Sequence, residues 1–231
     1  MNRISKNSPS SDGTDFIAPV CDADIELLYQ DDAILLINKP SGLLSLSGKN
    51  PANKDSVHYR LVQDFPGALM IHRLDLGTSG VMILALNKTV NANLCRQFMD
   101  RKVTKTYTAL LSGALAEPEG MIDIPIIKDV GNFPYQKVCL QTGKPAQSRY
   151  RLLDYCSKRN VSRVEFTPIT GRTHQLRVHS QAIGHSILGC DLYASSEVGA
   201  MSDRLMLHAT SLVFDHPTSG ERTTVECPAP F

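Results

Sequence analysis

An aspartate lies in the segment His72-Arg73-Leu74-Asp75-Leu76-Gly77-Thr78-Ser79-Gly80, directly before the continuous apolar run Val81 to Leu86. A carboxylate presented at the mouth of a buried strand can act as a nucleophile or a base. The same side chain can equally accept backbone N–H bonds within a tight Gly-Thr-Ser-Gly loop. A second segment, Gly171-Arg172-Thr173-His174-Gln175-Leu176-Arg177-Val178-His179, supplies Arg172. Its guanidinium can pair with the carboxylate and hold it ionised, or it can be a surface charge on a helix that Thr173 caps. A third segment, Lys105-Thr106-Tyr107-Thr108-Ala109-Leu110, reads as a strand. Tyr107 and Ala109 then share one face, and Thr106 and Thr108 the other. The ring is either a half-buried sheet aromatic or a platform for a stacked base, with a hydroxyl available for proton transfer.

Other chemistries find no support. The chain has no G-x-x-x-x-G-K-[ST], no G-x-G-x-x-G, no H-E-x-x-H and no G-x-S-x-G. The zinc deaminase pattern H-x-E…P-C-x-x-C is absent too. His174 and His179 are five apart on an expected helix and point in different directions, a poor metal pair. None of the six cysteines forms a C-x-x-C pair, so they read as free thiols. Neither a metal nor a cofactor is expected.

Positioning these residues requires a set of elements. Ile25 to Tyr29 and Ala33 to Ile37 read as paired strands, and Lys39-Pro40-Ser41-Gly42 turns the chain. Asp55 is placed to cap a helix carrying Val57, Leu61, Val62 and Phe65. Thr89 to Arg101 has Val90, Leu94 and Phe98 on one helical face, with Arg101 and Lys102 in its last turn. Further strands are expected at 106–111, 121–127, 148–153, 161–167, 205–214 and 223–227, interrupted by a helix at 174–183. Many strands and few helices predict an α+β fold on a mixed, mostly antiparallel sheet. Residues 1–18 are polar and read as a flexible tail, and 19–231 as one domain.

The 231 residues are 42% hydrophobic and 20% charged, which excludes a wholly disordered chain. No apolar run reaches the roughly 18 residues of a membrane span. The start of the chain lacks an apolar signal core, so a cytoplasmic location is expected; a monomer is the default expectation. The net charge of +1 conceals a gradient, because residues 36–177 carry twenty basic and ten acidic side chains between acidic ends. Such a region can form a basic face for a polyanion.

Taken together, the segments 72–80, 171–179 and 105–107, with the turn Asn38 to Gly42, resemble the RluA family of pseudouridine synthases in the same order along the chain. The likeness runs from about Ile25 to the C-terminus. Lys137-Val138-Cys139, Thr142 to Gln147 and Arg204 to Ala209 are most similar to the family's dual-specificity members. The resemblance implies a single catalytic domain with a central active-site cleft and no S4-type RNA-binding domain. It implies isomerisation of uridine to pseudouridine in structured RNA, namely large-subunit ribosomal RNA, a tRNA anticodon stem-loop, or both. Asp75 matches the catalytic carboxylate, Tyr107 the residue that stacks on uracil, and Arg172 the partner of the carboxylate. Arg73 matches the residue that fills the space left by a flipped base, with His72 and Thr78 beside it as substrate-binding residues. Arg96, Arg101, Lys102, Lys144, Arg149 and Arg151 are expected phosphate contacts on charge alone. A non-catalytic RNA-binding factor on the same fold is the main alternative. A hydrolase would need a second carboxylate as general acid, and no segment offers one.

Overall fold

The computed structural model describes residues 16–231. Of the expected tail, residues 1–15 lie outside the described residues. Phe16 and Ala18 are tied down by Asn53, whose amide donates to the Phe16 carbonyl at 2.6 Å and accepts the Ala18 N–H at 2.7 Å.

The chain begins with β1 (Glu26–Gln30) and β2 (Ile34–Lys39), which pair antiparallel. A 3-10 turn at Pro51–Asn53 leads to α1 (Val57–Asp64). Its cap is Ser56, not the expected Asp55: the Ser56 hydroxyl accepts the Tyr59 N–H, while Asp55 forms an ion pair with Arg60 at 2.7 Å. Next come β3 (Leu69–Met70), β4 (Ser79–Ala85) and α2 (Lys88–Met99). Asn87 caps α2 through a bond from the Val90 N–H. The helix ends before Arg101, which has φ 57°, so Arg101 and Lys102 lie past the last turn where they were expected.

The remaining elements are β5 (Thr104–Ser112), β6 (Glu119–Asp123), β7 (Ile126–Lys128), β8 (Gln136–Val138), β9 (Gln147–Cys156), β10 (Val161–Pro168), α3 (Gln175–Ala182), α4 (Ser196–Gly199), β11 (Leu207–Asp215) and β12 (Arg222–Glu226). The run 121–127 does not form one strand. Pro125, which cannot donate to a ladder, separates β6 from β7. β7 and β8 then form a two-stranded hairpin outside the main sheet.

The main sheet runs β1-β2-β4-β11-β5-β10-β9-β6, with β3 on β4 and β12 on β11. Every pairing is antiparallel except β4 with β11, which is parallel at the centre. This is the α+β, mixed, mostly antiparallel sheet that the strand count predicted. All seven residues of β4 are buried, as a continuous apolar run requires.

Two packed regions share one face of the sheet. Leu35, Ile37, Leu74, Met82 and Leu84 close against Val57 and Leu61 of α1. Ala109, Leu111, Val164, Phe166 and Leu207 close against Leu176 and Val178 of α3. Tyr107 packs against both. On the other face, α2 covers Ile34, Leu36, Val81 and Ile83 through Val90 and Leu94.

Candidate active site

A cleft of about 830 Å3 opens between the two packed regions. It is lined by His72, Arg73, Asp75 and Thr78 from the loop before β4, by Lys105 and Tyr107 from β5, and by Arg172, His174 and Arg177 around the start of α3. Segments about a hundred residues apart in sequence therefore meet at one place.

The Asp75 loop is fixed from below by the turn after β2. Lys39 is fully buried, and its ammonium donates to the carbonyls of Pro40 (2.8 Å), Leu43 (2.7 Å) and Leu76 (3.2 Å). The Gly42 N–H also donates to the Leu76 carbonyl at 2.9 Å, and the Ser41 hydroxyl donates to the Gly77 carbonyl at 2.7 Å. The Thr78 N–H closes the loop on the Asp75 carbonyl at 3.2 Å. Burial pushes Lys39 down to about 7, against the charges of Cys21 and Asp75 that favour its ammonium.

Past Asp75 the chain must enter β4 beside β11. Gly80 has φ 112°, and a Cβ there would lie 2.3 Å from the Ala209 carbonyl oxygen. Only glycine can make this junction. Ser79 is buried, receives a bond from Arg204, and meets His208 Nδ1 at 2.7 Å. His208 Nε2 lies 2.9 Å from the Cys227 carbonyl. Ser79 and Gly80 thus have structural reasons for their place in the segment.

Tyr107 stands at the floor of the cleft, and Thr106 and Thr108 face the other side, where Thr108 meets Thr210 at 2.7 Å. Among the described residues nothing is hydrogen-bonded to the Tyr107 hydroxyl. Burial, aided by the Asp75 charge, raises its pKa well above the usual phenol range, so the hydroxyl keeps its proton.

The expected Arg172–Asp75 pair is not formed. Arg172 Nε donates to the Pro145 carbonyl at 3.0 Å, and its N–H donates to Gln175 Oε1 at 2.9 Å. The arginine that feels the Asp75 charge is Arg177, one and a half turns further on and 4% exposed. Burial opposes its charge, yet Cys190, Asp75 and Asp191 together hold the guanidinium above its ordinary range. It also forms an ion pair with Asp191 and lies 5.2 Å from the Tyr193 ring centre. The sequence pattern hid this residue because an arginine inside an amphipathic helix usually faces solvent.

The other anticipated residues divide by burial. Arg73 is exposed at the cleft rim. Thr78 is 2% exposed beneath the loop. His72 stacks on Phe98 at 4.9 Å, and its Nε2 accepts the Ile83 N–H at 3.1 Å. Burial, with a smaller push from Lys105, lowers His72 to about 3 and keeps the ring neutral. The cap expected at Thr173 is displaced to His174, which adopts a left-handed backbone with φ 56°. Gln175 and His179 are structural: Gln175 bonds Gln147 and Ser148, and His179 reaches Ser148 and the Ile124 carbonyl. None of the six basic residues expected on charge to contact phosphate lines the cleft, and Arg149 and Arg151 line a separate groove over β6, β9 and β10.

This fold, with an aspartate, a tyrosine and a buried arginine converging on its central cleft, is that of an RNA-modifying isomerase. The chain belongs to the RNA pseudouridylate synthase family, whose pattern matches residues 33–182. It is 50% identical over 205 residues to the dual-specificity RNA pseudouridine synthase RluA of Escherichia coli (strain K12), covering 89% of this chain and 93% of that one. The protein of the same description from Yersinia pestis is also 50% identical, over 89% of this chain and 99% of its own length. Among solved structures, human RNA pseudouridylate synthase domain containing 1 matches with a TM-score of 0.75 and 31% identity, over 92% of this chain and 86% of its own. Human RNA pseudouridylate synthase domain containing 4 matches with a TM-score of 0.69 and 25% identity, over 89% and 88%. The chain is an RNA pseudouridine synthase.

Proposed function

We propose that the chain isomerises uridine in two structured RNAs, a large-subunit ribosomal RNA and a tRNA anticodon stem-loop, with Asp75 as the catalytic carboxylate. The observation that carries the assignment of roles is the convergence of Asp75, Tyr107 and Arg177 on one cleft with the exposed Arg73 at its rim.

A uridine in a stem-loop must leave its stack to reach Asp75, at a cost of a few kcal/mol. The Arg73 guanidinium can fill the vacated space and bind phosphate with the same plane. The extruded uracil then lies on the Tyr107 ring. Asp75 acts at the ribose, either by attack on the anomeric carbon or by removal of a ribose proton, and the bond from the base nitrogen breaks. The uracil turns, and its carbon 5 bonds to the ribose. Arg177, rather than Arg172, supplies the buried positive charge that acts on Asp75. Arg172 borders the cleft and contributes to RNA binding.

The proton on carbon 5 must still leave. A phenol held protonated by burial cannot begin as a free base. Tyr107 can take that proton if its own O–H proton passes to the Asp75 carboxylate in the same step; Asp75 then yields a proton to solvent and the ring nitrogen freed from the ribose takes one up, so the isomerisation closes with no net proton change. The Asp75 charge acts on the Tyr107 hydroxyl, so the two groups are near enough for that transfer.

The test is tritium release from RNA labelled at carbon 5 of uridine. Wild type is expected to release tritium from both transcripts, and Asp75→Asn from neither while still binding them. Release from one transcript alone would reduce the activity to a single specificity, and release by Asp75→Asn would remove Asp75 from its role.

A further inference from the structure

The β7–β8 hairpin forms one wall of the cleft, to which it contributes Lys128, Phe133, Pro134 and Gln136. It shares no ladder with the main sheet. A two-stranded hairpin is marginally stable by itself in water, so its position depends on what ties it to the body. At its base, Ile126 exchanges bonds with Lys144 at 3.0 and 2.9 Å, and the Cys139 N–H donates to the Pro125 carbonyl at 3.0 Å. Higher up, the Gln136 N–H donates to the Tyr193 hydroxyl at 2.9 Å.

That hydroxyl also meets His174 Nδ1 at 2.7 Å. Burial lowers the His174 pKa, so the ring is neutral near pH 7 and Nδ1 can accept. The donors then run in one direction, from the Gln136 N–H to the Tyr193 oxygen and from the Tyr193 O–H to His174. Tyr193 is 6% exposed, and its ring meets Tyr135 of the hairpin edge-on at 5.8 Å and His174 at 5.6 Å. His174 is a non-glycine residue in the left-handed region, a conformation that a fixed side chain helps to hold.

We propose that Tyr193 and His174 are positioning residues, a latch that holds the β7–β8 hairpin against the start of α3 and so sets the RNA-gripping width of the cleft. The functional part of this rests on the cleft being the RNA site. The latch bridges two segments that sequence separates widely, the hairpin and the helix that carries Arg177. Neither latch side chain is hydrogen-bonded to Asp75 or Tyr107, so the effect is expected in substrate binding, not in the chemical step.

The experiment pairs Tyr193→Phe, which keeps the ring and removes only the hydroxyl, with His174→Asn, which tolerates the left-handed backbone but is shorter. Hydrogen exchange is measured on the free protein, and KM and kcat with RNA for Tyr193→Phe. In Tyr193→Phe the Gln136 amide is expected to exchange at least about tenfold faster, with amides of β5 and β10 unchanged. KM is expected to rise about fivefold, the worth of one hydrogen bond, with kcat preserved. His174→Asn should speed the same amide, and the double variant should add little to either change. Unchanged exchange at Gln136 would overturn the latch. Faster exchange with an unchanged KM would overturn its role in binding RNA, as would a loss confined to kcat. A wild type without turnover would instead sink the functional reading, while the exchange data still decided the latch.

Discussion

Tyr107→Phe separates the two tasks assigned to one side chain. The ring remains to stack on uracil, so RNA affinity should stay within about threefold, while loss of the proton path should lower kcat by at least about a hundredfold. A kcat within tenfold of wild type, measured by single-turnover tritium release, would leave Tyr107 a stacking platform only. The two arginines make a second contrast. Arg177→Met is expected to abolish turnover, because Asp75 loses the buried charge that faces it. Arg172→Ala is expected mainly to raise KM, since its guanidinium bonds the Pro145 carbonyl instead of the carboxylate. Equal losses of kcat in both variants would reverse that assignment. Asp75 and Tyr107 were legible in the sequence because each stands in a fixed spacing of distinctive residues. The choice between Arg172 and Arg177 was not, since it depends on which side of a three-residue turn faces the loop before β4. The burial of Lys39 was not legible either: a lysine beside a proline reads as a turn residue, and only packing shows its ammonium enclosed by three carbonyls.

Gly80 carries the element-scale prediction. Alanine there would have to occupy the space of the Ala209 backbone, and the backbone angle itself disfavours a side chain. Gly80→Ala should therefore cost about 3 kcal/mol or more and part β4 from β11, as read by urea unfolding. A loss below about 1 kcal/mol would show that the junction can shift. Long periodic elements were readable from sequence, α2 and β4 above all, because their burial is continuous or regularly spaced. Short elements were not. β3 and β8 are two and three residues long and owe their existence to neighbours. Capping followed the side chain with the better geometry, Ser56 over Asp55, a difference of one residue that propensity cannot resolve.

The stability of the whole molecule should rise with pH and then fall. His72, His174, His179 and His208 all have lowered pKa values because of burial, so unfolding takes up protons below about pH 6.5. Their contribution is complete above that pH and shrinks as acid is added. Lys39, lowered to about 7, adds the same slope between about 7 and its unfolded value of 10.5. Tyr107 and Tyr193, the latter pushed up to about 12, act oppositely above pH 10, where only the unfolded phenols ionise. The urea midpoint should therefore increase from pH 5 to about pH 9 and decline beyond 10. A maximum at pH 6 would contradict these burials. Binding of RNA should weaken with salt as phosphate neutralisation releases counterions. The basic bias of the central region was visible in the sequence. Which cations reach the cleft was not: they are Lys49, Arg73, Lys105, Lys128, Arg172 and Arg177, four of them in loops or on α3, where strand alternation gives no guide.

The parallel contact of β4 with β11 has a consequence in time. β11 lies between β4 and β5 in the sheet but is made after both, more than a hundred residues behind β4. A chain growing from its N-terminus holds the Asp75 loop and Tyr107 on two unjoined pieces until its last strands arrive. Such long-range pairing is slow to form. The cleft thus comes into being as one of the final events of folding, and a chain interrupted before Leu207 would carry every residue proposed for catalysis without the strand that joins them.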